Sequence, residues 1–259
     1  MAKVSQYVAK KPDANGLIDY SSDENSVWAE LYARQTNIVA TRACQEFIDG
    51  LERLDLPRDH VPQCQKVSDS LGALTGWRVK PVAALIGHDE FFSLLAQKTF
   101  PAASFIRRRE ELDYLQEPDI FHELFGHTPL LTDPRFAVYS EAFGHAGVGA
   151  NRAQQIALLR LYWFSTEFGL IRQANGELRI YGSGILSSKA ETPYALESDI
   201  PKHQAFDPIE VLRTPYRIDI MQPLYFVIDD FDQLFDLAQQ DLLALVDEAS
   251  SLPMHDPLF

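Results

Sequence analysis

In the segment EPDIFHELFGHTPLL, residues 117–131, His122 and His127 stand five positions apart in an otherwise apolar stretch. Two imidazoles this close can hold a transition metal. Five residues at 3.6 per turn carry the chain about 140° past one revolution, so a regular α-helix would place the two rings on different faces. Gly126 can take left-handed backbone angles, and Pro129 disfavours helical angles at Thr128. The sequence therefore predicts a helix ending near Gly126 and a turn that swings His127 back toward His122. A zinc protease of the HExxH type needs its histidines four apart on one helix face, and HELFGH has one residue too many.

A third donor is found further along the chain. Residues 152–169 read as a helix whose buried stripe is Ile156, Leu159, Trp163 and Glu167. A carboxylate buried without a partner costs roughly several kcal/mol, so Glu167 on that stripe calls for a cation, a proton or a metal. Spacing alone does not select Glu167 from 37 acidic residues; its place on an apolar stripe does. Two imidazoles and one carboxylate make the set that binds iron(II) and leaves coordination positions open, with zinc as the competitor. Asp119, three residues before His122, suits two roles: capping the helix after Pro118 and orienting the His122 ring through its other nitrogen. Glu123 reads either as a surface acid or as a carboxylate facing the metal cavity, where it could bind a polar cofactor. His60, His88, His145, His203 and His255 have no comparable partners and read as structural.

The elements that must carry these residues are mainly helical with a small β component, an α+β class. Apolar spacing predicts one long or two shorter helices over residues 27–54, a helix over 67–75 and a short helix over 91–97. Residues 77–85 read as extended, LRIYGSGILSS as a strand entering a glycine turn, and QPLYFVIDDF as a buried strand ending in acids. FDQLFDLAQQDLLALVDEA reads as helix without a heptad repeat. The charge cluster at residues 107–111 has a solvated surface as its simplest reading. Residues 1–26 are polar, with Pro12, Asn15 and Gly16 as breakers, and are expected to form a tail before one domain over residues 27–259.

A chain of 259 residues, 46% hydrophobic, can bury a sizeable core. Its formal charge of −14 disfavours nucleic acid and anionic membrane as partners, and points to a small-molecule ligand. No leader-like apolar stretch or membrane-length run is present, and Cys44 and Cys64 lack paired spacing, so both are expected as reduced thiols in a cytoplasmic protein.

Six blocks in order, PVAALIGHDEFF, Arg107, EPDIFHELFGHTPLL, LYWFSTEFGL, YGSGILSS and QPLYFV, closely resemble the pterin-dependent aromatic amino acid hydroxylases, in particular their bacterial phenylalanine 4-hydroxylase branch. The resemblance spans residues 80–230 or so and implies a single catalytic domain of that family. It implies iron(II) on His122, His127 and Glu167, a tetrahydropterin, and dioxygen as co-substrate. The pterin would stack on Phe91, meet main chain near Leu85 and Ile86, and be approached by Glu123. L-phenylalanine would lay its carboxylate on Arg107 and its ring among Pro118, Trp163 and Phe168; Ser187 would stand near a histidine ligand, Gly184 would shape the adjacent turn, and Tyr162 would line the cavity. Leu115 replaces a threonine that helps hold substrate in animal relatives. Ile218 stands where tyrosine hydroxylases carry aspartate, and Trp163 disfavours a tryptophan hydroxylase. The regulatory domain and tetramerising helix of animal relatives are missing, which implies a monomer or a weak dimer. The implied activity is hydroxylation of L-phenylalanine to L-tyrosine. Its rivals are a tyrosine or tryptophan hydroxylase of the same family, a zinc hydrolase with Glu123 as general base, and a catalytically silent protein that binds amino acid or pterin.

Overall fold

Capping chemistry sets many of the helix starts. A computed structural model describes residues 7–115 and 117–259. In it Ser21 and Glu24 form a capping box at the head of α1 (Ser22–Val39). That start precedes the expected boundary at Val27. Ile18 and Tyr20 are already buried and Tyr7 stacks on Phe105 at 4.5 Å, so the expected tail is anchored to the domain at these residues. Residues 1–6 lie outside the described residues.

The chain continues through α2 (Gln45–Leu54), α3 (Cys64–Leu74), β1 (Arg78–Val82), α4 (His88–Leu95) and β2 (Thr99–Ala103). β1 and β2 pair in parallel, so β1–α4–β2 is a crossover unit. After the histidine segment come α5 (Pro134–Gly149), started by Asp133 and Pro134, and α6 (Arg152–Tyr162), started by an Asn151–Gln154 capping box. β3 (Gly169–Arg172), β4 (Leu178–Ile180), α7 (Ser183–Leu186), α8 (Glu191–Glu197), β5 (Lys202–Ala205), α9 (Pro208–Arg213) and β6 (Leu224–Ile228) follow. The expected C-terminal helix is two, α10 (Asp232–Ala238) and α11 (Leu242–Ser250), divided where Asp241 caps the second.

The larger sheet runs β4-β3-β6-β5. β6, LYFVI, is buried at every residue, as its continuous apolar run requires. β5 is exposed along its whole length, and Lys202 marks it as an edge. Among the described residues, no helix is long and apolar enough to cross a membrane.

α4 carries the cavity wall and is held by close approach to α5. A Cβ on Gly144 would lie 2.2 Å from the Ala96 nitrogen, and one on Gly147 would lie 2.0 Å from the Phe92 ring. Backbone and ring therefore sit where side chains would otherwise be. Gly144→Ala should force α4 away from α5 at a cost of about 1–3 kcal/mol, read as a lower midpoint in urea unfolding.

Candidate metal and cofactor site

The two histidines share one face because their segment is a π-helix. His122–His127 forms a π turn, whose i→i+5 bonding aligns residues five apart. The predicted break at Gly126 is absent: Gly126 is not among the glycines with positive φ, and Thr128 keeps right-handed angles of −66° and −29° in spite of Pro129. Gly126 serves close packing instead, since a Cβ there would meet the Ser183 carbonyl at 3.0 Å. A second π turn, Trp163–Glu167, follows α6 directly. It shifts the helix phase, which corrects the predicted stripe: Ile156 is 48% exposed, while Gln155, Leu158, Leu161 and Tyr162 face the core. Glu167 reaches the histidines because of the π turn, not because it continues an α-helical stripe.

The donor atoms converge. His127 Nε2 lies 3.0 Å from His122 Nε2 and 3.1 Å from Glu167 Oε1, and His122 Nε2 lies 3.6 Å from Glu167 Oε2. Bonds of about 2.1 Å to one ion place adjacent octahedral donors about 3 Å apart, so the trio fits one face of an octahedral ion. The hydrogen-bond chain also sets a tautomer. The Ser187 hydroxyl donates to the Ser183 carbonyl at 2.9 Å, so it must accept from His122 Nδ1–H at 2.8 Å. That leaves the Nε2 lone pair of His122 for a metal. Ser187, not Asp119, orients this ring.

Asp119 has other partners. Oδ2 accepts from Arg107 N–H and Nε at 2.9 and 2.8 Å, and Oδ1 accepts from Arg107 Nη2 and the His122 backbone N–H at 2.9 and 3.1 Å. Its predicted cap role is present and its ring-orienting role is not. Burial works against the Asp119 charge, but Arg107 outweighs it and holds the carboxyl below the usual range. Arg107 is buried at 7% exposure, so the solvated reading of its cluster fails at this residue.

Two glutamates beside the histidines have opposite protonation. Burial opposes the charge on Glu167, yet His127 and then His122 outweigh it and draw the carboxyl down to about 2. Glu123 also lies within metal-binding reach of both histidines, but burial and then the Glu167 charge hold it well above the ordinary carboxylate range. It is a buried acid, not a surface one. The surroundings thus favour the anion at Glu167 and the neutral acid at Glu123.

These groups form one end of a cavity of about 300 Å³. Leu85, Ile86, Phe91, Pro118, Tyr162 and Trp163 line it, as anticipated. Arg107, Leu115, Phe168, Gly184 and Ser187 stand behind the lining. Phe168 backs Trp163 at 4.5 Å, and a Cβ on Gly184 would press within 2.9 Å of the Phe168 ring. Leu115 packs against Ala84, Ala103 and Phe105. Ile218 is 60% exposed. His88 and Tyr216 also line the cavity and had no local sequence signal; His88 Nδ1 is buried without a partner among the described residues. The other histidines read as structural make local contacts, as in His255 with Glu210 at 2.8 Å.

The fold and this site define a biopterin-dependent aromatic amino acid hydroxylase: the family model of that description matches residues 3–244, and the chain belongs to the family. Within it, the chain is 55% identical to the phenylalanine-4-hydroxylase of Pseudomonas aeruginosa, over 99% of this chain and 97% of that one. The apo structure of the cold-active phenylalanine hydroxylase of Colwellia psychrerythraea superposes with a TM-score of 0.94 at 50% identity, covering 97% of each chain. The Chromobacterium violaceum phenylalanine hydroxylase with bound oxidised Fe(III) gives 0.89 at 45% identity, covering 95% of this chain and 89% of that one.

Burial lowers His122 from 6.5 to about 4. Between those values the unfolded chain binds a proton that the folded chain refuses, so stability must fall as pH falls through that window. Glu167, lowered from 4.5 to about 2, adds stability that is present above its unfolded value and lost on further acidification. The unfolding midpoint of the metal-free protein should therefore drop between about pH 6.5 and 4.5, where the histidine contributes. His122→Gln should flatten that slope in a thermal melt series.

Proposed function

We infer that the chain is a phenylalanine 4-monooxygenase, converting L-phenylalanine to L-tyrosine with dioxygen and a tetrahydropterin at a mononuclear non-haem iron(II). The observation that carries this reading is the convergence of His122, His127 and Glu167 at one end of the cavity, in a chain of this family. Those three residues would hold the iron and leave its remaining positions toward the cavity. When bound, the tetrahydropterin supplies reducing electrons and the iron is where dioxygen is activated.

The side chains position, and none needs to act as nucleophile. Phe91 offers an aromatic face to the flat pterin ring, and it is itself held edge-on by Tyr162 at 5.4 Å. Main chain at Leu85 and Ile86 supplies hydrogen-bonding groups on the same wall. The neutral Glu123 can donate to a ring nitrogen or carbonyl as well as accept. Pro118 and Trp163 would receive the phenyl ring. Arg107 has given Nε–H and one Nη2–H to Asp119, which leaves the Nη1–Nη2 edge of its guanidinium for a substrate carboxylate.

The acidic chain, with a formal charge of −14, is read as a monomer acting in the cytoplasm. Cys44 and Cys64 are free and buried, and burial raises both thiols, Cys64 to about 12, which suits a reducing compartment and no redox role.

Protein loaded with iron(II) and supplied with tetrahydropterin and air should form tyrosine from L-phenylalanine. Glu167→Ala should lose bound iron and reduce turnover by more than about a hundredfold. Iron content by emission spectroscopy and tyrosine by chromatography decide it; unaltered turnover in that variant, or none in the wild type with any aromatic amino acid, rules the reading out.

A further inference from the structure

Trp163 is held between two rings, Phe168 at 4.5 Å and Tyr216 at 4.8 Å. Its indole N–H donates to Gln222 Oε1 at 3.1 Å. Gln222 is 1% exposed and uses all of its polar side-chain atoms. Its amide nitrogen donates to the Arg217 and Ile220 carbonyls at 2.9 and 3.0 Å, so the amide oxygen is obliged to face the indole. Its backbone N–H donates to Glu191 Oε1 at 2.9 Å, and the Tyr225 hydroxyl donates to the same oxygen. One buried amide therefore ties the irregular loop bearing Tyr216 to the indole, and is itself anchored to α8 and β6.

We propose that Gln222 is a positioning residue for the reaction: it holds the planes of Trp163 and Tyr216, and so determines how closely the substrate ring is gripped and how well a larger indole ring is refused. The proposal rests on the reading that the Trp163 wall receives the amino-acid side chain. The physical reason is that an indole N–H facing a buried wall must keep its partner, and a partner bonded on three sides cannot follow a rotating ring. Gln222 touches neither substrate nor metal and acts through Trp163.

The test is a double-mutant cycle on the iron-loaded enzyme with L-phenylalanine and L-tryptophan. Gln222→Met should raise KM for phenylalanine about tenfold, the upper end of what one lost hydrogen bond gives, with kcat changed less. It should also narrow the preference for phenylalanine over tryptophan. In a Trp163→Phe background, which lacks the N–H, the same substitution should change KM by less than about twofold. If Gln222→Met does not fold, Gln222→Asn, which withdraws the amide by one methylene, carries the same cycle with a rise of about threefold. An unchanged KM and preference, or an equal rise in both backgrounds, overturns the proposal, because a merely structural role would be additive. Wild-type turnover of phenylalanine, measured alongside, tests the functional reading separately.

Discussion

Everything at the metal end of the cavity depends on two short helical segments bonded i→i+5 in place of i→i+4. A π turn gives up regular α-helical bonding, so it must be stabilised by its surroundings. Here side chains take up the loosened backbone: Thr128 Oγ1 donates to the Leu124 carbonyl at 2.6 Å, and Ser165 Oγ donates to the Leu161 carbonyl at 2.7 Å. The first turn is also clamped by apolar packing, with Phe121 and Phe125 stacked at 4.9 Å and both fully buried. The unusual winding persists because the core and two hydroxyls hold it.

With the donors brought together, the protein separates the roles of two acids by environment. Glu167 faces both imidazoles and Ser183 Oγ, which donates to it at 3.0 Å, so its charge is compensated. Glu123 lies beside that charge, with no ion pair among the described residues, and burial favours its neutral form. Two residues of one type thus acquire opposite tendencies from their surroundings alone.

The sequence made much of this legible, though partly by the wrong route. The HELFGH spacing identified an odd local geometry, but propensity arguments resolved it as a break at Gly126, because π winding has no residue signature and is imposed by packing. Glu167 was selected from a stripe whose first member, Ile156, proved exposed. Glu167 nevertheless lies beside the histidines, brought there by the π turn and not by the stripe. Local rules did well where the cause is local, in the Asp119 cap and the apolar run of β6. They could not reach Ser187, Tyr216 or Gln222, whose partners come from distant parts of the chain. Nor could they find β5, an exposed edge strand, KHQA, with no alternation to mark it.

The carboxylate of Asp119 has two clients. One is the guanidinium of Arg107, buried and facing Phe121 at 5.7 Å; the other is the backbone N–H of His122, the first residue of the first π turn. A single buried group shared in this way is fixed from both sides at once. The carboxylate that compensates a buried guanidinium is therefore also the cap of the segment that carries both histidines, and four hydrogen bonds make the two depend on one side chain.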